Sequence, residues 1–426
     1  MNNLSATDKA NIWHPFTPLK GAPEPILVNR AEGIYLHTHD GRKIIDAISS
    51  WWVNLHGHAH PKIAKAIAEQ AAKLEHVIFA GFTHEPAIQL SEKLLKILPY
   101  GFSKIFFSDN GSTAVEVAIK IAMQYWHING IDRKKIIAIE GAYHGDTFGS
   151  MSVGDRGIFT NPFLPYLFHV DFIDFPTKEK ENIVWDQFKT LVDEGNVGIF
   201  IYEPLIQAAG GMRMYSAQFL DRLIAYARTK GVICIADEVF TGFGRTGKLL
   251  ASDYLTNPPD LVTLSKGLTG GTLPLGATAV CSKVVSAFQS PDLSKTFFHG
   301  HSFTANPIAC AAANESMELL LSDPCQENIQ IITFHQKKFA DELIDYTAIR
   351  EVRTLGTILA IELITPTQSS YTNELRKKIY EYFLARNILL RPLGNTFYIV
   401  APYCITPQEL SFVHEVIINF LKEITE

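Results

Sequence analysis

Cysteine is scarce in this sequence, with five residues in a chain of 426. They stand at Cys234, Cys281, Cys310, Cys325 and Cys404, and no two of them have the CxxC spacing of a zinc site or a redox pair. Such scattered cysteines are typical of a protein of the reducing cytosol and argue against a disulfide framework.

Long apolar runs and clusters of one charge are also missing. No stretch of about 18 uncharged apolar residues occurs, and the amino terminus has neither a basic start nor an apolar core. The 38 basic and 44 acidic residues give a net charge of −6, without a basic block. We therefore expect a cytoplasmic protein that binds neither a membrane nor nucleic acid.

Short apolar, β-branched runs recur through the middle of the chain, with helical patterns at 112–125 and 217–229 between them. Strands that are covered on both faces have this composition. The runs are residues 104–108, 135–139, 197–202, 232–236, 261–264 and 277–281. They predict an α/β domain with a largely parallel sheet over residues 60–315. Residues 1–59 and 316–426 are expected to form a smaller α+β domain.

Lys266 and Asp237 each follow one of these apolar runs. A lysine can form an imine with an aldehyde, and a buried carboxylate needs a partner such as a protonated pyridine nitrogen. Gly267, Gly270 and Gly271 leave room for a ligand close to the backbone of the lysine loop. The pair is the minimum equipment for holding pyridoxal 5′-phosphate.

Residues suited to ligand binding also follow two more of the apolar runs. Gly111 and Ser112 follow the run 104–108 and open a helix, where a phosphate would be favoured, although ordinary helix capping explains them equally. Tyr143 follows the run 135–139 and offers an aromatic face to a heterocycle, although packing is the common role of such a residue.

The segment 242–248 matches both the GxGxxG and the GxxxxGK patterns of nucleotide-binding loops. Leu249 stands where the second pattern requires Ser or Thr, and Pro258-Pro259 interrupts the unit that the first requires. We interpret the segment as a glycine-rich loop near the active site, with Arg245 as an anion-binding or structural anchor. A nucleotide-binding protein remains an alternative.

Three further features have side chains that could bind a metal or a substrate. His56, His58 and His60 lack the carboxylate or cysteine that would complete a metal site, so no metal is expected. Trp51 and Trp52 suggest core packing or a wall for a flat apolar substrate chain. Arg391 could pair with a surface acid or bind a substrate carboxylate.

Taken together, the chain resembles the class III, fold-type I pyridoxal-phosphate-dependent aminotransferases along almost its whole length. The segments that carry the resemblance are Trp13-His-Pro15, Ser49-Ser-Trp-Trp52, His76-Val-Ile-Phe79 with Thr83-His84, Tyr143-His-Gly-Asp-Thr-Phe148, Gly210-Gly-Met-Arg-Met-Tyr215 and Arg391-Pro392. The resemblance implies a large domain with a mostly parallel, seven-stranded sheet. The paired tryptophans and residues 210–215 are most similar to the members of biotin biosynthesis, which implies S-adenosyl-L-methionine as amino donor and 8-amino-7-oxononanoate as acceptor.

The resemblance also implies roles for single residues. Lys266 would bind the cofactor covalently and move the proton, Asp237 would hold the pyridinium, and Tyr143 would cover the ring. Gly111 and Ser112 would bind the phosphate. Gly300, His301 and Ser302 would contact cofactor and substrate, and the Ser302 hydroxyl would reach the neighbouring subunit of a homodimer. Substrate contacts are also implied for Trp51, Glu203 and Arg391.

Two positions depart from the family pattern. Phe16 replaces a tyrosine whose hydroxyl is expected to orient substrate, and Gly300-His301-Ser302 replaces Gly-Pro-Thr. An ω-amine transaminase of the ornithine or 4-aminobutyrate type, a non-catalytic cofactor-binding protein, and lysine as the amino donor all stay open.

Overall fold

A mixed seven-stranded sheet is the centre of this computed structural model, which describes residues 2–155, 157–365 and 375–425. Gly276–Cys281 runs antiparallel to both of its neighbours, and the other strands are parallel to one another. The order across the sheet is Phe102–Ser108, Gly276–Cys281, Leu261–Leu264, Ile233–Asp237, Val197–Tyr202, Lys135–Ile139, Asp171–Ile173. The predicted α/β fold with a mostly parallel seven-stranded sheet is confirmed.

Both faces of this sheet are covered, which explains the apolar composition of its strands. Phe200 and Tyr202 belong to one hydrophobic core, whereas Ile199 and Ile201 of the same strand belong to the other. Since successive side chains point to opposite faces, a strand between two cores has no polar face.

Helices cover the sheet and connect its strands. The helix Ala217–Thr229 begins where the side chain of Ser216 accepts a hydrogen bond from the Phe219 amide, at 3.2 Å. The other α-helices of five or more residues are Asn2–Asn11, Pro61–Lys73, Glu85–Ile97, Gly111–Ile128, Phe148–Ser152, Glu181–Asp193, Ser282–Phe288, Pro307–Leu320, Asp323–Glu342, Leu375–Ala385 and Pro407–Thr425. Among the described residues, no helix is both long and apolar enough to span a membrane.

The two ends of the chain share a second, four-stranded sheet. Its order is Val28–Glu32, Tyr35–Thr38, Lys43–Asp46, Ile388–Leu389, and the last two strands are parallel. A three-stranded antiparallel sheet of Ile349–Leu355, Ile358–Leu363 and Thr396–Ile399 lies in the same carboxy-terminal part. Residues 366–374 of the predicted smaller domain lie outside the described residues, and domain limits at 60 and 315 stay a prediction.

The direction of the strands decides where a site can form. Five parallel strands end at Ser108, Ile139, Tyr202, Asp237 and Leu264, and the antiparallel strand begins at Gly276 beside them. The loops that follow these strands therefore meet at one edge of the sheet, which is where open α/β sheets bind ligands.

We expect Phe200→Ala to lower the free energy of unfolding by about 3–5 kcal/mol, because it leaves a cavity in a packed core. Phe200 is 0% exposed, and its ring centroid lies 4.8 Å from that of Phe188 and 4.9 Å from that of Tyr202. Urea unfolding would measure the change. The matched control is Phe334→Ala, at a side chain 64% exposed, which should change stability by less than about 0.5 kcal/mol. Equal effects of the two substitutions would contradict the assigned core.

Candidate active site

A cavity of about 690 Å³ opens at the carboxyl ends of the strands. Most of its lining comes from the loops that follow the strands ending at Ser108, Ile139, Tyr202, Asp237 and Leu264, and Trp52 and Val53 complete it. The predicted site residues that line it are Gly111, Ser112, Tyr143, Glu203, Asp237 and Lys266. The fold thus brings together residues that are up to 155 positions apart in the sequence.

Lys266 is presented to the cavity by a strained backbone. Its φ is +44°, a left-handed conformation that residues other than glycine rarely adopt. Its Nζ lies 5.0 Å from the centroid of the Trp52 ring and 5.8 Å from that of Phe240. Burial lowers the pKa of the Lys266 ammonium, while the negative charges of Asp237 and Glu203 act in the opposite direction. The lowered pKa favours the neutral amine, which is the nucleophilic form.

Asp237 is buried and held by three donors. His144 Nδ1 donates to its Oδ2 at 2.6 Å, and the Thr263 hydroxyl and the Val239 amide donate to its Oδ1, both at 3.1 Å. His144 Nε2 is buried and has no hydrogen-bond partner among the described residues. His144 is a site residue that sequence reasoning missed, although it directly follows Tyr143.

Hydroxyls and backbone amides form a cradle at the start of the helix Gly111–Ile128. The Ser112 and Thr147 hydroxyls share a hydrogen bond of 2.7 Å, and the Thr147 amide donates to Ser112 Oγ at 3.1 Å. Gly145 has a φ of +126°, and a Cβ there would lie 2.2 Å from Ser112 Oγ, so no side chain fits between the loop and the helix. Hydroxyls and helix N-terminal amides favour a phosphate here. Sequence reasoning identified Gly111 and Ser112 but not Thr147.

Glu203 ties two cavity loops together. Its carboxylate accepts the Tyr143 amide at 3.0 Å and the Ala208 amide at 3.1 Å. Burial raises the pKa of Glu203 to about 7, His144 opposes the rise, and Asp237 adds to it. Burial and the Asp146 carboxylate likewise raise the pKa of Tyr143, so its phenol stays protonated and its ring faces the cavity as a neutral group.

Phe16, Trp51 and Arg391 form a separate cluster that does not line the cavity. The ring centroids of Phe16 and Trp51 are 5.5 Å apart, and the guanidinium carbon of Arg391 lies 4.5 Å from the centroid of the Trp51 ring. Trp52, next to Trp51, lines the cavity, so the cluster adjoins it.

The segment Gly300-His301-Ser302 also lies apart from the residues that line the cavity. Ser302 is exposed, and the His301 amide donates to Thr304 Oγ1 at 3.1 Å within its own turn. The predicted contacts of these three residues with cofactor, substrate and a neighbouring subunit stay predictions.

The glycine-rich loop 242–248 is packed against protein. Arg245 is 1% exposed and donates to the carbonyls of Ala401 and Asn54, each at 3.0 Å, so it is a structural anchor. Lys248 donates to the Asp253 carbonyl at 2.8 Å, and a Cβ on Gly244 would lie 2.7 Å from Ile329. The loop leaves no room for phosphates, which argues against the nucleotide-binding alternative.

Residues 18–421 match the family described as aminotransferase class-III. The chain belongs to the class-III aminotransferases, as its resemblance predicted.

Individual members of the family are similar to this chain over almost its full length. The chain is 47% identical over 422 residues to adenosylmethionine-8-amino-7-oxononanoate aminotransferase of Synechococcus elongatus, covering 97% of this chain and 99% of the relative. It is 34% identical to the enzyme of that name from Helicobacter pylori, covering 99% and 98%. The crystal structure of the Methanocaldococcus jannaschii enzyme of that name superimposes with a TM-score of 0.94 at 34% identity, covering 99% of each chain. An omega transaminase from Pseudomonas jessenii in complex with PMP gives 0.93 at 25% identity, covering 99% and 98%.

We expect the Glu203 carboxyl of the ligand-free protein to titrate with a midpoint near pH 7. Burial disfavours the charged form, so the acid stays protonated up to that pH, whereas an exposed glutamate ionises near pH 4.3. The measurement is the protonated-carboxyl band in infrared difference spectra, taken as wild type minus Glu203→Gln. A band that is lost near the ordinary glutamate pKa would contradict the assigned environment.

Proposed function

We propose that the chain is a pyridoxal 5′-phosphate-dependent aminotransferase of biotin biosynthesis. It transfers the amino group of S-adenosyl-L-methionine to 8-amino-7-oxononanoate and forms 7,8-diaminononanoate. The observation that carries the proposal is one cavity in which a lysine with a lowered pKa and a buried, hydrogen-bonded carboxylate stand beside an anion-binding helix start. The similarity to relatives of that name extends over 97% of the chain.

The residues of the cavity fit this cofactor group by group. Lys266 offers an amine for the aldehyde carbon, Asp237 a carboxylate for the ring nitrogen, and Tyr143 an aromatic face. The cradle of Gly111, Ser112 and Thr147 fits a phosphate, because Gly145 keeps that space free of a side chain. When bound, pyridoxal phosphate supplies an electron sink for negative charge on the substrate carbon that bears the amine.

The chain's own residues supply orientation and proton transfer. Lys266 Nζ, with its lowered pKa, can accept a proton from the substrate carbon and return it to the cofactor side. His144 and Thr263 each bind one oxygen of Asp237, so the carboxylate is held in one orientation. Such fixed charge stabilises a developing opposite charge without reorganisation. Glu203 keeps the Tyr143 loop in place through a backbone hydrogen bond.

The cluster of Phe16, Trp51 and Arg391 suits an acceptor with a long apolar chain and a distal carboxylate. Arg391 presents a guanidinium beside the Trp51 face, and Phe16 extends the aromatic surface. A guanidinium can bind a carboxylate through two parallel hydrogen bonds. Phe16 lacks the hydroxyl of the usual tyrosine, so the aromatic surface contributes packing without a hydrogen bond.

The exposed position of Ser302 suits a contact across a subunit interface. We propose a cytoplasmic homodimer with shared active sites, in which Gly300, His301 and Ser302 of one subunit complete the cofactor and substrate site of the other. The acidic balance of the chain agrees with small-molecule partners and not with nucleic acid.

A donor survey tests the proposed reaction. We expect S-adenosyl-L-methionine to convert the pyridoxal form to the pyridoxamine form at least about tenfold faster than lysine, ornithine or 4-aminobutyrate do. Absorbance follows the first half-reaction, and mass spectrometry detects 7,8-diaminononanoate after 8-amino-7-oxononanoate is added. Lys266→Ala should abolish both half-reactions. Fastest conversion by ornithine or 4-aminobutyrate, without diaminononanoate, would show instead an ω-amine transaminase.

We expect Arg391→Met to lower kcat/KM for 8-amino-7-oxononanoate by about 10–100-fold, which corresponds to a lost charge-assisted contact of about 1.5–3 kcal/mol. The donor half-reaction should change by less than about twofold, because the donor does not need this carboxylate contact. The matched control is Arg386→Met, an exposed residue of the same segment that pairs with Glu423 at 3.2 Å. An equal loss in both half-reactions would remove Arg391 from acceptor recognition.

A further inference from the structure

We propose that Asp46 is a positioning residue that fixes the turn Ser49–Trp52 and thereby aims Trp51 and Trp52 at the two parts of the substrate site. Asp46 is not among the residues that line the cavity, and it acts on the turn through its hydrogen bonds to Ser50 and Ile48. The kinetic part of this inference rests on the proposed function, whereas the structural part does not.

The turn has an unusual backbone for its sequence. Ser49, Ser50 and Trp52 have φ values of +52°, +59° and +66°, and Ser50 has a ψ of −71°. Residues with a side chain rarely adopt positive φ, and the Ser50 pair of angles is that of a strained γ-turn. Such a backbone persists only where surrounding contacts enforce it.

The Asp46 carboxylate supplies the enforcing contacts. It is 0% exposed, and its Oδ2 accepts the Ser50 amide at 2.6 Å and the Ser50 hydroxyl at 2.9 Å. The Ile48 amide donates to Oδ1 at 3.3 Å, and His58 Nε2 lies 2.8 Å from Oδ2. Hydrogen bonds to a charged, buried acceptor are the strong ones, and three of these four donors belong to the turn or its approach.

The consequence of the turn is that adjacent tryptophans face different regions. Trp51 is 37% exposed and contacts Phe16 and Arg391, whereas Trp52 is buried, lines the cavity and lies 5.0 Å from Lys266 Nζ. A regular helix or strand would place this pair differently with respect to the cavity. The backbone angles held by Asp46 therefore decide where both rings stand.

The strand pairing of the second sheet places the turn that Asp46 holds beside Arg391. In the parallel pair of Lys43–Asp46 and Ile388–Leu389, Asp46 lies opposite Leu389. Both strands leave the sheet at the same end. The turn after Asp46 therefore lies beside Arg391, which is two residues beyond Leu389. One strand pair thus places the aromatic wall and the guanidinium together.

Fluorine NMR of protein labelled with 5-fluorotryptophan tests the structural part. The chain has five tryptophans, so Trp51→Phe and Trp52→Phe assign two resonances and Trp13, Trp126 and Trp185 serve as internal references. We expect Asp46→Asn to shift or broaden the Trp51 and Trp52 resonances and to leave the other three unchanged. The matched control is Asp40→Asn, in the exposed turn between the strands Tyr35–Thr38 and Lys43–Asp46, and it should leave all five resonances unchanged. Unchanged Trp51 and Trp52 resonances, or an equal change in all five, would overturn the inference.

A double-mutant comparison tests the functional part. We expect Asp46→Asn to raise KM for 8-amino-7-oxononanoate by about tenfold in the wild type and by less than about twofold in the Trp51→Ala background, because coupled residues are not additive. Equal effects in both backgrounds would contradict action through Trp51. If the protein used other substrates, the fluorine result would still stand, so failure of the proposed function and failure of this inference are distinguishable.

Ser50→Ala keeps the test decisive if Asp46→Asn fails to fold. It removes the hydroxyl donor and leaves the backbone donors to Asp46 in place. We expect smaller changes than with Asp46→Asn, again confined to Trp51 and Trp52. Changes in Trp126 or Trp185 of similar size would overturn the inference.

Discussion

The hydrogen bond between His144 and Asp237 is the contact on which the chemistry of the cavity depends. A carboxylate at the end of a buried strand cannot keep its charge in place without donors, and His144, Thr263 and the Val239 amide supply them. That charge raises the pKa of Lys266 against the effect of burial and adds to the raised pKa of Glu203. The charge of Asp237 therefore acts on the pKa of Lys266, of Glu203 and of Tyr143 at the same time.

Two separate parts of the fold build the site. The central sheet positions the proposed cofactor half, because its parallel strands end at one edge and their loops meet there around the cavity. The second sheet positions the proposed substrate half, because strands from both ends of the chain pair in parallel and the tryptophan turn and Arg391 follow them side by side. Arg245 connects the two parts, since its guanidinium donates to the Asn54 carbonyl of one segment and the Ala401 carbonyl of another.

The sequence predicted the features that a local pattern encodes. The runs 135–139, 197–202 and 261–264 are strands with those bounds, and 217–229 is a helix, because burial on two faces or on one stripe leaves a clear periodicity. The three-residue strand Asp171–Ile173 is too short for such a pattern, and the antiparallel course of Gly276–Cys281 is invisible because a buried strand is apolar in either direction. His144, Thr147 and the Asp46 turn were missed because their roles come from contacts between distant segments. The substrate roles of Trp51 and Arg391 rest on residue chemistry and family resemblance, and they stay predictions, as do the domain limits and the contact of Ser302 with a second subunit.

Reduction of the protein with borohydride in the presence of pyridoxal 5′-phosphate, followed by peptide mass mapping, tests the central claim most directly. A lysine that holds the cofactor as a carbon–nitrogen double bond is converted to a stable phosphopyridoxyl derivative, and burial with Asp237 should make one lysine react far ahead of the exposed ones. The account predicts a single modified peptide that carries Lys266. Modification at another lysine, or label spread over surface lysines with none at Lys266, would contradict it.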